Sequence, residues 1–459
     1  MPCKELNMHS LKLIFCFILT VSWSFNYAQE IPPIESFMPQ DYNAGNQNWS
    51  IGQDSNENIY VANNKGLLEY NGARWNLYRM PNQAIVRSVE VIDDLVYTGS
   101  YMDFGYWEPN SFGALVYKSL LEDVSVELLE DEEFWNIISF EEFVLFQSLD
   151  RIYIYNTSDS TFSVIDSKSK ILKVYKVDES VFFQERGIGI SKIENGRPIL
   201  LIEDAIIKDK EIVNIFEEDD GFLLFQTKEY GFFKFKNNTI NKWEISSNEL
   251  LDRVSIYNSI RLRNGNFILG TISNGVIKLD KKGDLLFQIN KNSGLSNNTV
   301  LSPFQDISGN IWLGLDNGVD VINLDSPYRV YTDSQGYLGT IYTSEKTNKN
   351  LYLGTNQGLF YKPLNSSKKF ELISGTKGQV WFLKMINGTL FCGHDKGSFE
   401  IKDNIATLFS TEEGVWSIKK IPGDNRLIQG HYNGLSIIKK EPSGEWALDY
   451  KIKGFDISS

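Results

Sequence analysis

Two of the three histidines stand in matching settings, His394 in G-H-D-K-G and His431 in G-H-Y-N-G, 37 residues apart. Imidazoles repeated in this way could share a metal or hydrogen-bond one ligand. A metal would need both side chains within a few ångströms, and no carboxylate recurs beside both. The expectation is therefore exposed turn residues or ligand hydrogen bonding, with no metal. A second set is aromatic. Trp49, Trp135, Tyr257, Trp381 and Trp416 each lie twelve to fourteen residues before a small or polar residue that itself recurs along the chain. Val86, Leu172, Val213, Val300 and Ile341 hold the same place elsewhere. A flat ring beside polar groups suits the face of a sugar; an apolar side chain there would equally pack one repeat on the next. Arg87, directly after Val86, is the cation of this set, and Tyr101 belongs to a longer turn at 100–105. These considerations nominate Arg87, Tyr101, Trp135, Trp381, His394, Trp416 and His431 as ligand-binding residues.

The elements that must position them are short strands. From 295 to 324 apolar residues recur with strand spacing, cut by Ser308-Gly309-Asn310 and by Asp316-Asn317-Gly318, which supply the positive φ of tight turns. The recurring residues that end the middle strands are Ala62, Gly99, Gln147, Gln184, Gln226, Gly270, Gly314, Gly354, Gly393 and Gly430, spaced 37 to 48 residues apart. Several strands and no helical pattern within a period of about forty residues describe the blade of a β-propeller. In a blade the first strand lines the central channel. Its leading loop shares a face with the turn between the second and third strands, so the nominated residues fall on one face.

The stretch G-L-S-N-N-T-V (294–300), D-I-S-G-N-I-W-L-G (306–314) and D-N-G-V (316–319) resembles the two-component regulator propeller repeat of extracytoplasmic bacterial sensors. N-I-Y-V-A-N-N-K-G (58–66), Y-N-G-A-R-W (70–75) and L-Y-L-G-T-N-Q-G (351–358) support it. The third to fifth repeats depart from the motif. The resemblance implies blades in two successive seven-bladed rings, then a three-tyrosine domain, a membrane span and a cytoplasmic output module. It also implies an oligosaccharide or other nutrient as ligand, with signalling through dimerisation. The fold expected is all-β: a first propeller of seven blades over 29–335 and an incomplete second one of about three blades over 336–459. None of the later parts is in the sequence, so the chain is expected to be truncated, reaching a membrane only through the parts it lacks.

Residues 1–28 read as a secretory leader, with Lys4 and Lys12 before a short apolar run and cleavage expected after Ala28. This places the protein in the periplasm or outside the cell. Without the leader one cysteine remains, Cys392, which cannot form an internal disulfide and is expected to be buried. The formal charge of −14 argues against nucleic acid or anionic lipid as a partner. The acidic clusters at 130–133 and 217–220 lack the spacing of a calcium loop and read as solvated loops. No nucleophile elbow, zinc-peptidase helix or phosphate loop appears, and no cofactor is implied. Carboxylates are too many for counting to exclude a glycosidase or lyase, and a protein-interaction scaffold is the third reading.

Overall fold

The computed structural model describes residues 30–458 apart from 219, 220, 332, 334, 335, 365, 367 and 368. The expected leader and part of the second acidic cluster lie outside the described residues. The chain forms two compact units, one of Ile31–Val330 and one of Glu30 with the part from Tyr331 onward.

Strand-forming runs are cut by residues that reverse the chain in two steps. Asp93 and Asp94 take φ of 49° and 62°, and Asp403 and Asn404 take 50° and 62°. These are the paired left-handed values of a two-residue hairpin, which short polar side chains tolerate. In the larger unit the hairpins build seven four-stranded antiparallel sheets among the described residues. The first strands of sheets 1 to 6 are Asn48–Gln53, Val86–Ile92, Asn136–Phe140, Ile171–Val177, Ile212–Glu217 and Ile256–Arg261, each followed by three more in chain order. Sheet 7 differs. Its inner strands are Val300–Gln305, Ile311–Leu315 and Val319–Ile322, and its outermost is Ile34–Phe37, with Ile34 opposite Ile322 and Phe37 opposite Val319.

Burial sets the order of the sheets, because each is apolar on both faces and needs a neighbour on each. Tyr60, Val86 and Trp107 join sheet 1 to sheet 2, and the series continues to Ile268, Val300 and Leu313 between sheets 6 and 7. Ile51, Ile59, Trp312 and Val321 then join sheet 7 to sheet 1. Successive sheets meet first strand against first strand, which is the radial order of propeller blades. The second unit holds sheets 8 to 10, beginning with Ile341–Lys346, Val380–Ile386 and Ser417–Lys420. Sheet 8 packs on 9 around Tyr352, Val380 and Leu390, and sheet 9 on 10 around Phe391, Leu427 and Trp446. Cys392 is fully buried in the first of these clusters, and burial raises its thiol pKa.

The repeated motif has a direct physical meaning. In sheet 7 the Asp306 carboxylate accepts the Asn310 backbone N–H at 2.8 Å, the Asn310 amide at 2.9 Å and the Trp312 indole N–H at 2.9 Å. In sheet 1 Asp54 does the same for Asn58 and the Tyr60 hydroxyl. One carboxylate, buried at Asp306 and half-buried at Asp54, thus fixes the turn and the aromatic that packs beyond it. The residue ending the second strand is small where the next sheet's first strand crosses it: a Cβ at Gly270 would stand 2.8 Å from a Val300 methyl. Where Gln184 replaces glycine, its side chain accepts the Ile212 N–H at 2.9 Å and donates to the carbonyls of Ile207 and Lys210. In this repeat the contact with the next sheet is kept by hydrogen bonds in place of close packing.

Gly189, which opens a third strand, has φ of +141°, and a Cβ there would collide with the Ile202 carbonyl of the fourth. Gly189→Ala is expected to cost about 3 kcal/mol through backbone strain and displacement of that strand. Thermal unfolding should show it as a fall of roughly 6–12 °C.

Candidate ligand site

A bulge near the start of the first strand builds the site. Trp49, Arg87, Leu172, Val213, Tyr257, Leu301, Tyr342 and Trp381 each fall at the register shift of their strand, the extra residue that turns a side chain out of the sheet's alternation. Trp135 and Trp416 precede their strands, with their N–H groups donating to Gln147 at 2.9 Å and Gly430 at 3.0 Å. Spacing alone puts Val86, Val300 and Ile341 in this set. The bulge moves the position by one residue, to Arg87, Leu301 and Tyr342.

In the larger unit this brings three of the nominated residues together. The Arg87 guanidinium carbon lies 4.5 Å from the ring centres of both Trp49 and Trp135, and the two indoles meet edge to face at 6.1 Å. Its Nη2 donates to Glu133 at 3.2 Å, while Nε is buried without a partner among the described residues. The side chain is 13% exposed, so the cation is held between rings and does not point away from the cluster. Tyr101 pairs with Glu133 through a single β-bridge and gives its hydroxyl to Asp131. Trp49 and Glu133, not nominated, complete the group. Burial holds the Tyr257 hydroxyl of sheet 6 above its usual pKa and the Arg87 charge pulls it back. Two other first-strand groups are also desolvated: burial pushes Lys173 down to about 8 and Glu90 up to about 7.

In the second unit the same strand position gives a row of rings. Tyr342 stacks on Trp381 with centres 4.7 Å apart and planes 27° apart, Trp381 meets Trp416 at 4.6 Å and 34°, and Tyr432 closes on Trp416 at 5.4 Å. Tyr342, Trp416 and Tyr432 are 42%, 40% and 38% exposed. Trp381 and Trp416 were nominated from spacing. Tyr342 was hidden by the bulge and Tyr432 by its place beside a histidine.

The histidines correct the expectation. His394 and His431 are fully buried, neither exposed in a turn nor open to a ligand. His394 Nδ1 accepts the Lys396 N–H at 3.0 Å and its Nε2–H donates to the Thr376 carbonyl at 3.1 Å. His431 accepts the Asn433 N–H at 3.3 Å and donates to Ser436 at 2.8 Å. His394 thus ties the turn between second and third strands to the loop that leads into its sheet, and His431 ties the same turn to the third strand. Thr227, Thr271 and Thr355 do this elsewhere, donating to the carbonyls of Gly231, Gly275 and Gly358. Those threonines were the signal in the sequence. Among the described residues no group of three His, Cys, Asp or Glu side chains could hold a metal.

Burial, the largest cause, lowers both imidazole pKa values from 6.5. Below about pH 6.5 the unfolded chain takes up protons that the folded rings refuse, so stability present above that pH falls as pH drops toward the lower folded values. Each histidine should add up to about 1.4 kcal/mol per pH unit to this loss. Denaturant unfolding between pH 7.5 and 5.5 should show a shallower slope for His394→Thr and His431→Thr, if threonine restores the turn as in the other sheets.

No family model matches the chain, and no curated protein matches it. Solved structures do. Over 92% of its length the chain matches 61% of the extracellular domain of a hybrid two-component system of B. thetaiotaomicron, with TM-score 0.66 and 14% identity. The chain has the fold of that extracellular domain. A second extracellular domain of a hybrid two-component system from the same organism matches over 93% of this chain and 62% of its own, with TM-score 0.51 and 16% identity. The chain thus spans less than two thirds of the length of either. A streptogramin B lyase matches over 64% of this chain and 98% of its own, with TM-score 0.50 and 15% identity.

Proposed function

We propose that this chain is the extracytoplasmic sensor region of a two-component-type regulator, recognising an oligosaccharide through the aromatic residues at the start of its first strands. The observation that carries the reading is the match of both units, over 92% of the chain, to the extracellular domain of a hybrid two-component system. The ring row Tyr342, Trp381, Trp416 and Tyr432 supports a sugar ligand, because exposed rings beside polar strand ends match the apolar face and hydroxyl rim of a pyranose. Signalling follows if ligand binds one arrangement of the units or of two chains better than another. Among the described residues no helix is long and apolar enough to cross a membrane.

The likeness to a lyase favours one rival, a propeller enzyme. Both described histidines are committed to turns, so a general base would have to come from another residue type. Titrating the chain with plant and algal oligosaccharides, and analysing the sugars afterwards, separates the two. A sensor returns its ligand intact; cleaved products would favour the enzyme.

A further inference from the structure

At one register level of the larger unit, the first strand of every sheet carries a polar residue opposite the residue that ends the second strand. Ser50, Ser88, Asn136, Asn214, Asn258 and Ser302 hold this place in six sheets, and Lys173 holds it in sheet 4. The first strands meet one another all the way around the unit, so these side chains form a ring about its axial channel. Short members of the ring bond the neighbouring sheet: Ser88 donates to the Phe134 carbonyl at 2.9 Å, Asn136 to that of Val174 at 2.9 Å and Asn214 to that of Ser259 at 2.7 Å. Lys173 is the ionised member of the seven and reaches further. Its Nζ donates to the Val213 carbonyl of sheet 5 at 3.0 Å and, past that sheet, to Asn258 Oδ1 of sheet 6 at 3.1 Å.

An ammonium drawn out of bulk water is costly unless an opposite charge answers it. Among the described residues no carboxylate lies within ion-pair distance of Lys173: Glu211, whose charge it feels, bonds Lys228 at 3.0 Å instead. Both acceptors of Lys173 are neutral amide oxygens, so one of the three ammonium N–H groups has no partner among the described residues. Arg87, one residue before Ser88, differs in having Glu133 as counter-ion. Burial depresses the Lys173 pKa, yet the residue stays partly exposed; a group that is desolvated and still reached by solvent lines a channel rather than a packed core. A cation without a counter-charge, fixed at two of its donors and open at the third, is built to receive an oxygen acceptor that carries the missing charge. We propose that the axial channel of the larger unit holds an oxyanion, a carboxylate, sulfate or phosphate group, on Lys173 Nζ.

The site stands apart from the sugar reading, since an anion response without oligosaccharide binding, or the reverse, would separate the two. Calorimetry of the full chain should show the larger unit's transition rise by roughly 3–5 °C in about 10 mM sulfate, phosphate or galacturonate, relative to chloride at equal ionic strength, as a Kd on the order of 1 mM implies. Sulfate stabilises folded proteins in general by exclusion from their surface, so the variants decide. Lys173→Met should weaken the anion about tenfold or more, and Lys173→Arg should keep it. Asn258→Asp sets a carboxylate where Lys173 now meets an amide oxygen; it should raise melting without added anion and cancel the response to it. Galacturonate oligomers compared with neutral galactose oligomers assign the source of the charge. Tighter, Lys173-dependent binding of the acidic oligomer makes the acid group part of a larger ligand, and a response to sulfate or phosphate alone makes it a free ion. No anion-specific rise with any of these probes, or a response as large in Lys173→Met or in Asn258→Asp, would overturn the site.

Discussion

A chain beginning at Met38 is expected to melt about 10–20 °C below one beginning at Glu30, with most of the loss in the larger unit. Removing 30–37 takes away the outer strand of sheet 7, whose partner Val319–Ile322 then becomes a bare edge. It also removes Phe37, which packs against Tyr70, Trp75 and Trp312 at 5.2, 5.4 and 6.3 Å, and Ile31, 2% exposed against Leu295 and Ile311. Burial of these two side chains and the strand pairing together stabilise the unit by on the order of 5 kcal/mol. Because the strand comes from the start of the unit and completes the sheet at its end, it resists separation of sheets 7 and 1, which no strand taken in chain order could do. Calorimetry should show the larger unit's transition shifted further than that of the smaller unit, which loses only the Glu30 partner of Lys362. Limited proteolysis should cut the truncated chain first near sheets 7 and 1. Equal melting of the two chains would show that sheet-on-sheet packing alone closes the circuit.

The second large effect is expected at the ring row. Trp381 touches both Tyr342 and Trp416, so Trp381→Ala removes one ring and the support of two. With an oligosaccharide that binds the wild-type chain, affinity should fall by about 2 kcal/mol or more, roughly thirtyfold. Trp416→Ala should weaken binding by a similar amount with less effect on folding, since that residue is 40% exposed. Arg87→Ala tests the other cluster. It frees Trp49 and Trp135 from their shared cation and leaves Glu133 unpaired, so a ligand seated there should be lost as well. The two variants assign the ligand to one unit or the other.

Much of this architecture was legible in the sequence because a blade is local: four strands, three turns and one small residue recur within a short stretch. Gly270 and Gly314 mark where the next sheet crosses, and Asp306-Ser308-Gly309-Asn310 marks a turn whose hydrogen bonds close within a few residues. The outer strand of sheet 7 was not legible, since Ile34 pairs with Ile322 far along the chain and four residues carry no period of their own. Bulges hid part of the site. They shift a side chain by one place without altering composition, so Arg87, Leu301 and Tyr342 stood one residue from where spacing put Val86, Val300 and Ile341. The histidines depart from expectation for a different reason: spacing marks a turn residue but not its burial, and the polar side chain at that place folds back on its own turn, as Thr271 and Thr355 do.

The measurement that bears most directly on a sugar-sensing propeller is isothermal titration of the purified chain with a panel of plant and algal oligosaccharides, repeated with Trp381→Ala and Trp416→Ala. Saturable binding of at least one sugar, recovered intact and weakened by roughly thirtyfold or more in either variant, is the expected result. Cleaved sugar, or binding indifferent to both tryptophans and to Arg87, would contradict it.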